Sequence, residues 1–297
     1  MTAGARSFRI IINPVAGRGR APAHALPVAK LLRQAGHEVE IVYTTTTADA
    51  ATETERAAAD GAIAVATGGD GMVALVAGTA ARCGATLGIV PAGRGNDFAR
   101  QLGILAGDGA EAMARILTAG PPRAVDMLDA GPRLVPGSVY VGIDSRASEI
   151  IDRARWVPGP LQYPYAAIRA IATYRPADFT ITLDGVRSEH HAATVVVANS
   201  GYYGSGMRIA PQASVDDGLL DIVVVGAASR LDLIRSLPKV YDGRHAELDA
   251  VTMLRGSEVT VAAARPIEAY ADGDRLAPLP VTARVLPGAL RVLVPAP

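Results

Sequence analysis

Three glycine-rich segments, each predicted to be a loop directly after an apolar run, most constrain what this chain can fold into. They are Asn13-Pro14-Val15-Ala16-Gly17-Arg18-Gly19, Gly68-Gly69-Asp70-Gly71 and Pro91-Ala92-Gly93-Arg94-Gly95-Asn96-Asp97. Glycine permits positive φ angles and close backbone approach, so N–H groups and helix N-termini can face phosphate oxygens without an intervening side chain. Together the segments predict a phosphate-binding crevice whose ligand is a nucleotide.

The first part of the chain alternates between strand-like and helix-like stretches. Strands are predicted at Phe8–Ile12, Glu38–Tyr43, Ala62–Ala66 and Thr86–Val90, and helices at Ala23–Gln34, Ala48–Ala59, from Met72 and from Asn96. This alternation is typical of βαβ units with a parallel sheet. Ligands of such sheets bind beyond the carboxyl ends of the strands, where all three glycine segments fall. We therefore expect one shared site in an α/β N-terminal domain over residues 1–128.

After Asp129 the pattern changes to shorter strands separated by Gly, Asp and Pro. The clearest are Asp178–Leu183, Ala193–Ala198, Leu220–Val225, Glu258–Ala263 and Ile267–Tyr270. They predict a mostly antiparallel β-rich domain over residues 129–283. We expect the segment of about 284–297 to pack back on the first domain.

Composition excludes several classes of protein. The formal net charge is zero and the chain has only two lysines, Lys30 and Lys239. These features argue against a nucleic-acid partner and against the lysine of a Walker loop or a protein-kinase strand. The single cysteine, Cys83, lies in an apolar helix-like stretch, which predicts a buried thiol. No leader-like or membrane-spanning run is evident, so we expect a cytoplasmic protein without a transmembrane segment.

Carboxylates near glycines are the candidate catalytic groups, each with a structural alternative. Asp70 is placed to contact a nucleotide or a metal, but capping a helix would also explain it. In Asp216-Asp217-Gly218 a carboxylate with nearby carbonyls could hold Mg²⁺, and a solvated turn fits equally well. Asp272-Gly273-Asp274 could supply a metal ligand and a general base, and an ordinary hairpin explains it almost as well.

Taken together, these segments and Gly206-Met207-Arg208-Ile209-Ala210-Pro211 resemble the diacylglycerol kinase catalytic-domain family. This family comprises bacterial lipid kinases related in fold to NAD kinases and 6-phosphofructokinases. The resemblance implies an NAD kinase-like α/β domain with a parallel sheet, followed by a mostly antiparallel β-sandwich domain. It also implies ATP- and Mg²⁺-dependent phosphorylation of a lipid hydroxyl, most directly that of diacylglycerol to give phosphatidic acid.

The resemblance also assigns residue roles. The magnesium would lie on the carbonyls of Ser214 and Leu219 and the carboxylate of Asp217. Asp274 would be the catalytic acid, with Asp272 beside it, and Asp70 would hold the nucleotide and its catalytic metal. The nucleotide contacts would be Asn13, Pro14, Gly17, Thr44, Gly68, Gly69, Asp70, Gly71, Met72, Gly93, Arg94, Gly95, Asn96 and Asp97.

Departures from the family pattern keep other functions open. Residues without a hydroxyl, including Ala16, Met72 and Arg94, stand where the family often has Ser or Thr. Asp274 stands where the family commonly has Glu. A non-catalytic nucleotide- or lipid-binding protein, or a kinase of a sphingoid or other lipid alcohol, is therefore the alternative. Both a monomer and a homodimer fit the sequence.

One segment of the second domain combines positive charge with aromatic and apolar side chains. It contains Arg146, Arg153, Arg155, Arg169 and Arg175, interleaved with Trp156, Leu161, Tyr163 and Tyr165. Such a surface could rest on an anionic membrane, which would place the protein at the inner membrane surface. A helical hairpin packed on the second domain is the competing explanation.

Overall fold

The computed structural model describes residues 5–154, 156–157 and 159–296. It divides into two compact units, of which unit 1 is Met1–Met127 with Pro287–Pro297 and unit 2 is Leu128–Leu286. Within the described residues, no helix is both long and apolar enough to cross a membrane.

Unit 1 is built on a parallel sheet. Its elements are β1 (Ser7–Ile12), α1 (Ala16–Gly19), α2 (Ala21–Gln34), β2 (Glu38–Tyr43), α3 (Thr47–Ala59), β3 (Ile63–Gly68), α4 (Asp70–Cys83), β4 (Thr86–Pro91), α5 (Asp97–Gln101), α6 (Gly109–Thr118) and β5 (Arg123–Asp129). The strands run in the order β4-β3-β1-β2, and each neighbouring pair is parallel. Almost every residue of β1, β3 and β4 is buried, as expected for strands covered on both faces. The parallel α/β prediction is confirmed.

Two local expectations in unit 1 were wrong. The segment after Asn13 is not an open loop up to Gly19, because Ala16–Gly19 forms a helical turn that leads into α2. Cys83 is exposed rather than buried. It is the last residue of α4, where Gly84 ends the helix in the left-handed conformation, and the buried residues of α4 stop at Ala80.

Unit 2 contains mainly antiparallel strands. Its elements are β6 (Leu134–Val135), β7 (Ser138–Gly142), α7 (Ile143–Arg153), α8 (Gly159–Thr173), β8 (Ala177–Leu183), β9 (Val186–Ala198), β10 (Leu220–Gly226), α9 (Arg230–Asp242), a 3₁₀ turn (Arg244–Glu247), β11 (Val251–Gly256), β12 (Glu258–Ala263), β13 (Glu268–Ala271), β14 (Asp274–Pro278) and β15 (Val281–Val292). The antiparallel β-sandwich prediction is confirmed.

Strand β9 organises unit 2. Its first half pairs with β8, and its second half lies between β7 and β10. Alternate residues of this second half enter different cores, with Val195 and Val197 in one and Val196 and Ala198 in the other. Both faces of the sheet are therefore covered at this strand, which explains the unbroken apolar run.

The last strand, β15, contributes pairings to each unit. Its Val281–Arg284 stretch pairs antiparallel with β12 of unit 2. Its Arg291 and Val292 pair in parallel with Thr86 and Leu87 of β4 in unit 1. The C-terminal segment therefore adds a strand beside β4.

Candidate functional site

The glycine segments of unit 1 lie at one edge of its parallel sheet. Ile12 at the end of β1 is paired with Tyr43 of β2 and with Thr67 of β3, and Gly68 is paired with Pro91 of β4. Asn13, Thr44, the segment from Gly68 and the segment from Gly93 therefore begin side by side. This is the edge where ligands of parallel α/β sheets bind.

The second and third glycine segments cross at van der Waals distance. A Cβ atom placed on Gly93 would lie 2.4 Å from the Cα atom of Gly69, and one placed on Gly68 would lie 2.7 Å from the Cβ atom of Met72. The Ala92 N–H donates to the Gly68 carbonyl at 2.8 Å. Glycine is required at Gly93 by the backbone of the other segment and at Gly68 by the Met72 side chain, rather than by a positive φ angle.

Asp70 joins these two segments through both oxygens of its carboxylate. Oδ2 accepts the Asn96 N–H at 3.0 Å, and Oδ1 accepts the Asp97 N–H at 2.5 Å. Asn96 has a positive φ of 50°, and its side chain both accepts from the Gly93 N–H at 2.9 Å and donates to the Gly93 carbonyl at 3.1 Å. The carboxylate thus fixes the start of α5 against the start of α4.

The other predicted nucleotide contacts differ in how accessible they are. Gly71 and Arg94 are exposed, whereas Thr44, Met72, Gly95, Asn96 and Asp97 are buried, and Asn13, Pro14, Gly69 and Gly93 are intermediate. The Asn13 Oδ1 accepts the Val15 N–H at 3.1 Å, which closes the turn after β1. Gly17 lies inside α1. Exposed Gly71 and Arg94 are therefore the positions most open to a ligand from solvent.

We expect Gly93→Ala to lower the free energy of unfolding by about 1–3 kcal/mol, because the added methyl group forces the two crossing segments apart. Gly107→Ala is the matched control, since a Cβ atom there has no neighbour within 4 Å. Denaturant unfolding measures both. Equal stability of the two variants would contradict the crossing.

In unit 2, the Asp272-Gly273 turn connects β13 to β14. Both residues have positive φ angles, 45° and 95°, as in a tight hairpin turn. Asp272 accepts the Ser138 N–H at 2.9 Å and the Gly137 N–H at 3.2 Å, so its carboxylate holds the start of β7. Asp274 instead is exposed and pairs with Arg133 at 3.1 Å. Of the two carboxylates, Asp274 is the one that a substrate can reach from solvent.

The residues predicted to hold magnesium lie in the turn before β10. The Asp217 Oδ1 accepts the Leu219 N–H at 3.1 Å, and its Oδ2 is hydrogen-bonded to Arg255. Arg255 also reaches the buried carboxylate of Asp221 at 3.2 Å, where desolvation raises the pKa of Asp221. No cluster of three or more His, Cys, Asp or Glu side chains suited to a metal occurs among the described residues.

These contacts allow a simple test of whether magnesium fits. One carboxylate and the carbonyls of Ser214 and Leu219 are hard oxygen donors, which suit a cation that keeps part of its water shell. The donor chemistry fits Mg²⁺, and the Asp217 carboxylate would be shared between the ion and Arg255.

The sequence did not predict an apolar cavity of about 560 Å³ in unit 2. This volume lies within the range of roughly 300–1,000 Å³ typical of small-molecule pockets. Its wall is formed by residues of α7, α8, α9 and the sheet. Helix α9 has no buried residue, although Leu233, Leu237 and Val240 line the cavity. These side chains of α9 therefore border a cavity that a hydrocarbon could occupy.

Asp144 lies in the wall of this cavity. Its Oδ1 accepts the Tyr203 hydroxyl at 3.0 Å, and its Oδ2 lies 2.5 Å from the Thr194 hydroxyl. Burial raises the pKa of Asp144 above its ordinary value. A signal was present in the sequence, because Asp144 follows the apolar run of β7 and a glycine, as Asp70 follows β3.

A continuous set of contacts connects this wall to the Asp272–Asp274 turn. The Gly273 N–H donates to the Tyr140 hydroxyl at 3.1 Å, and the Tyr140 ring contacts the Tyr203 ring edge to face, with centroids 5.8 Å apart. Tyr203 in turn donates to Asp144. The apolar cavity and the turn that carries Asp274 are therefore neighbours within unit 2.

Comparison with known proteins decides the family. Residues 7–130 match the diacylglycerol kinase catalytic domain, and residues 137–294 match the YegS C-terminal NAD kinase beta sandwich-like domain. A diacylglycerol kinase of Mycobacterium tuberculosis is 36% identical over 294 residues, which cover 96% of this chain and 94% of the relative. The chain belongs to the diacylglycerol kinase family. It is therefore a kinase, a phosphotransferase with an alcohol acceptor.

Other relatives agree with this family. A diacylglycerol kinase of Bacillus subtilis is 27% identical over 275 residues, covering 90% of this chain and 89% of the relative. The fold is similar to a crystal structure of a diacylglycerol kinase from Bacillus anthracis strain Sterne, with a TM-score of 0.74 and 22% identity. That similarity covers 99% of this chain and 98% of the other, and it supports the fold.

Proposed function

We propose that the protein is an ATP- and Mg²⁺-dependent lipid kinase that phosphorylates the free hydroxyl of diacylglycerol to give phosphatidic acid. The observation that carries this proposal is the contact series from the turn of Asp274 to the apolar cavity. An acyl chain in the cavity would keep the glycerol hydroxyl of the same lipid near this turn. The family membership supplies the kinase chemistry.

ATP would bind at the sheet edge of unit 1. Backbone N–H groups of the glycine segments can approach phosphate oxygens closely, and Arg94 is exposed beside them. Asp70 would act there mainly by fixing the two segments, since both of its oxygens already accept N–H groups. In this role it is a positioning residue.

Asp274 would accept the proton of the lipid hydroxyl or orient that hydroxyl for attack. Its exposed carboxylate leaves one face open, and Arg133 holds the other through an ion pair. Phosphoryl transfer depends on in-line positioning and on neutralising charge, more than on covalent chemistry. Mg²⁺ on Asp217, Ser214 and Leu219 would supply positive charge when bound.

The lipid would enter from a membrane surface. Trp156 and Leu161 have exposed fractions of 75% and 58%, and Arg153 and Arg169 are exposed near them in sequence. Exposed apolar and basic side chains together favour an anionic membrane surface. Two members of the predicted basic and aromatic segment are not fully described. Arg155 lies outside the described residues, and the side chain of Tyr163 is not described.

The deciding experiment measures transfer of radiolabelled phosphate from ATP to dioleoylglycerol. The lipid is presented in neutral vesicles and in vesicles that contain an anionic phospholipid. We expect Mg²⁺-dependent phosphatidic acid formation that is faster on anionic vesicles and slows with salt. Tight binding of ATP and lipid without turnover would instead favour a non-catalytic binding protein. Equal rates on both kinds of vesicle would contradict the proposed contact with an anionic membrane but not the kinase activity.

Filling the cavity tests its role separately. Ala167 lines the cavity from α8. We expect Ala167→Trp to lower kcat/KM for diacylglycerol by about tenfold or more, because each methylene group of the acyl chain that the indole excludes from the cavity costs about 0.8 kcal/mol of binding free energy. Ala172→Trp is the control, since Ala172 is exposed on the same helix. ATP binding, measured by calorimetry, should be unchanged in both variants.

A further inference from the structure

Two short contacts of Thr194 fix where a proton lies in the wall of the cavity. The Thr194 Oγ1 is 2.6 Å from the Val141 carbonyl oxygen and 2.5 Å from the Asp144 Oδ2. A threonine hydroxyl has one proton to donate, and a carbonyl oxygen can only accept. A single proton shared between the two acceptors would give longer contacts than these, so both short contacts indicate a second proton, and Asp144 is the group that can carry it.

The remaining contact of Asp144 agrees with this proton count. Tyr203 donates to Oδ1, the oxygen that is the carbonyl of a protonated carboxyl group. Donation then runs from Tyr203 to Asp144, from Asp144 to Thr194 and from Thr194 to Val141. Every hydroxyl proton in the series has an acceptor.

The surroundings of Asp144 also favour the neutral form. Its neighbours in the wall are mostly apolar, and burial raises its pKa. Its place in the first turn of α7 favours the charged form. That effect supplies no second proton for the Thr194 contacts.

Resting on the proposed lipid kinase function, we propose that Asp144 is a neutral carboxylic acid in the folded protein and that the cavity selects uncharged lipids over lipid amines. The amine of a sphingoid lipid is on the carbon next to the one that bears its primary hydroxyl, so it would lie where the wall of Asp144 and Tyr203 meets the turn of Asp274. A buried ammonium group needs a counter-charge. A protonated Asp144 provides none, and Asp274 is already paired with Arg133, so the charge of the amine would be unpaired there.

The other titratable groups of the cavity wall do not replace that counter-charge. Asp232 is exposed on α9 and lies 4.0 Å from the guanidinium of Arg235. His245 is buried, and its Nε2 donates to the Ile209 carbonyl at 2.9 Å. Tyr203 and Tyr241 are phenols, and burial raises the pKa of Tyr203 well above its ordinary value.

Infrared difference spectroscopy tests the protonation state directly. The spectrum of the parent protein minus that of Asp144→Asn, at neutral pH, is expected to show the carbonyl band of a protonated carboxylic acid. Asp178→Asn is the matched control, because exposed Asp178 pairs with His191 at 2.7 Å and should show carboxylate bands. Carboxylate bands from Asp144 would overturn the proposal.

Asparagine can reproduce the hydrogen bonds of a neutral Asp144, because its NH₂ can donate to Thr194 and its carbonyl can accept from Tyr203. We therefore expect Asp144→Asn to unfold at the same denaturant concentration as the parent protein, whereas Asp144→Leu, which can make neither bond, should unfold at a lower one. A lower midpoint for Asp144→Asn would mean that a charged carboxylate is needed there, which would contradict the proposal.

A pair of matched lipids tests the selectivity. Sphingosine and N-acetylsphingosine share a chain and a primary hydroxyl, and the amide removes the charge. We expect sphingosine to displace a fluorescent acyl probe from the parent protein at least about tenfold more weakly than N-acetylsphingosine does. Equal displacement would overturn the selectivity.

The two proposals can fail separately. A protonated Asp144 and weaker sphingosine binding, without phosphorylation of any lipid, would refute the proposed function and leave this inference standing. Phosphorylation of diacylglycerol together with carboxylate bands from Asp144 would refute this inference alone. Ala167→Trp fills the cavity and should prevent binding of the acyl probe. Loss of probe binding in this variant would show that the probe binds in the cavity.

Discussion

Asp274→Asn is expected to lower kcat for lipid phosphorylation by about 10²–10⁴, the range typical for loss of a general base. Asparagine keeps the size of the side chain but cannot accept a proton from the lipid hydroxyl. The exposed ion pair with Arg133 contributes at most about 1 kcal/mol, so the variant should remain folded. Initial rates at saturating ATP and diacylglycerol measure the effect.

Two variants separate this role from a structural one. Asp274→Glu keeps a carboxylate in the turn and should retain much more activity than Asp274→Asn. Asp272→Asn should instead lower the free energy of unfolding, because it removes an acceptor for the Gly137 and Ser138 N–H groups. If Asp274→Asn kept kcat within about threefold of the parent, Asp274 would not be the base.

The sequence predicted much of unit 1 because its strands leave a direct signal. Apolar runs of five or six residues ended by glycine segments gave β1, β3 and β4 nearly to the residue. The segments also met at one sheet edge, as parallel topology requires. The helical turn at Ala16–Gly19 was missed because two glycines in one segment favour an open loop.

The cavity of unit 2 could not be predicted, because its wall combines residues that are distant in sequence. Asp144, Thr194 and Tyr203 are joined only by hydrogen bonds across 50 and 59 positions. The partner of Asp274 is even more remote, since Arg133 lies 141 positions earlier. Neither periodicity nor spacing carries information about such pairs, which tertiary packing alone creates.

The same limit applies to Asp70, whose motif was clear and whose partners were not. The sequence favoured a contact to a nucleotide or metal, with capping as the alternative. The structure shows that it caps a different helix, α5, across 26 and 27 positions. Its effect on a bound nucleotide would then pass through the shape of the glycine segments.

Asp70→Asn is expected to lower the free energy of unfolding by about 2–4 kcal/mol, because one N–H loses a charged acceptor and meets an NH₂ group instead. The segments around Gly69 and Gly93, which cross there, would separate. We expect ATP affinity to fall by about 100-fold, since that distortion moves several backbone N–H groups from the phosphate positions.

Denaturant unfolding and calorimetric titration with ATP measure the two effects independently. Asp108→Asn is the matched control, because Asp108 also accepts one backbone N–H in unit 1, from Leu105 at 3.1 Å, but lies outside the glycine segments. It should lose little stability and no ATP affinity. A folded Asp70→Asn protein that keeps its stability but loses ATP would show that Asp70 contacts the nucleotide itself. Loss of stability with unchanged ATP affinity would show that the crossing of the two segments does not shape the nucleotide site.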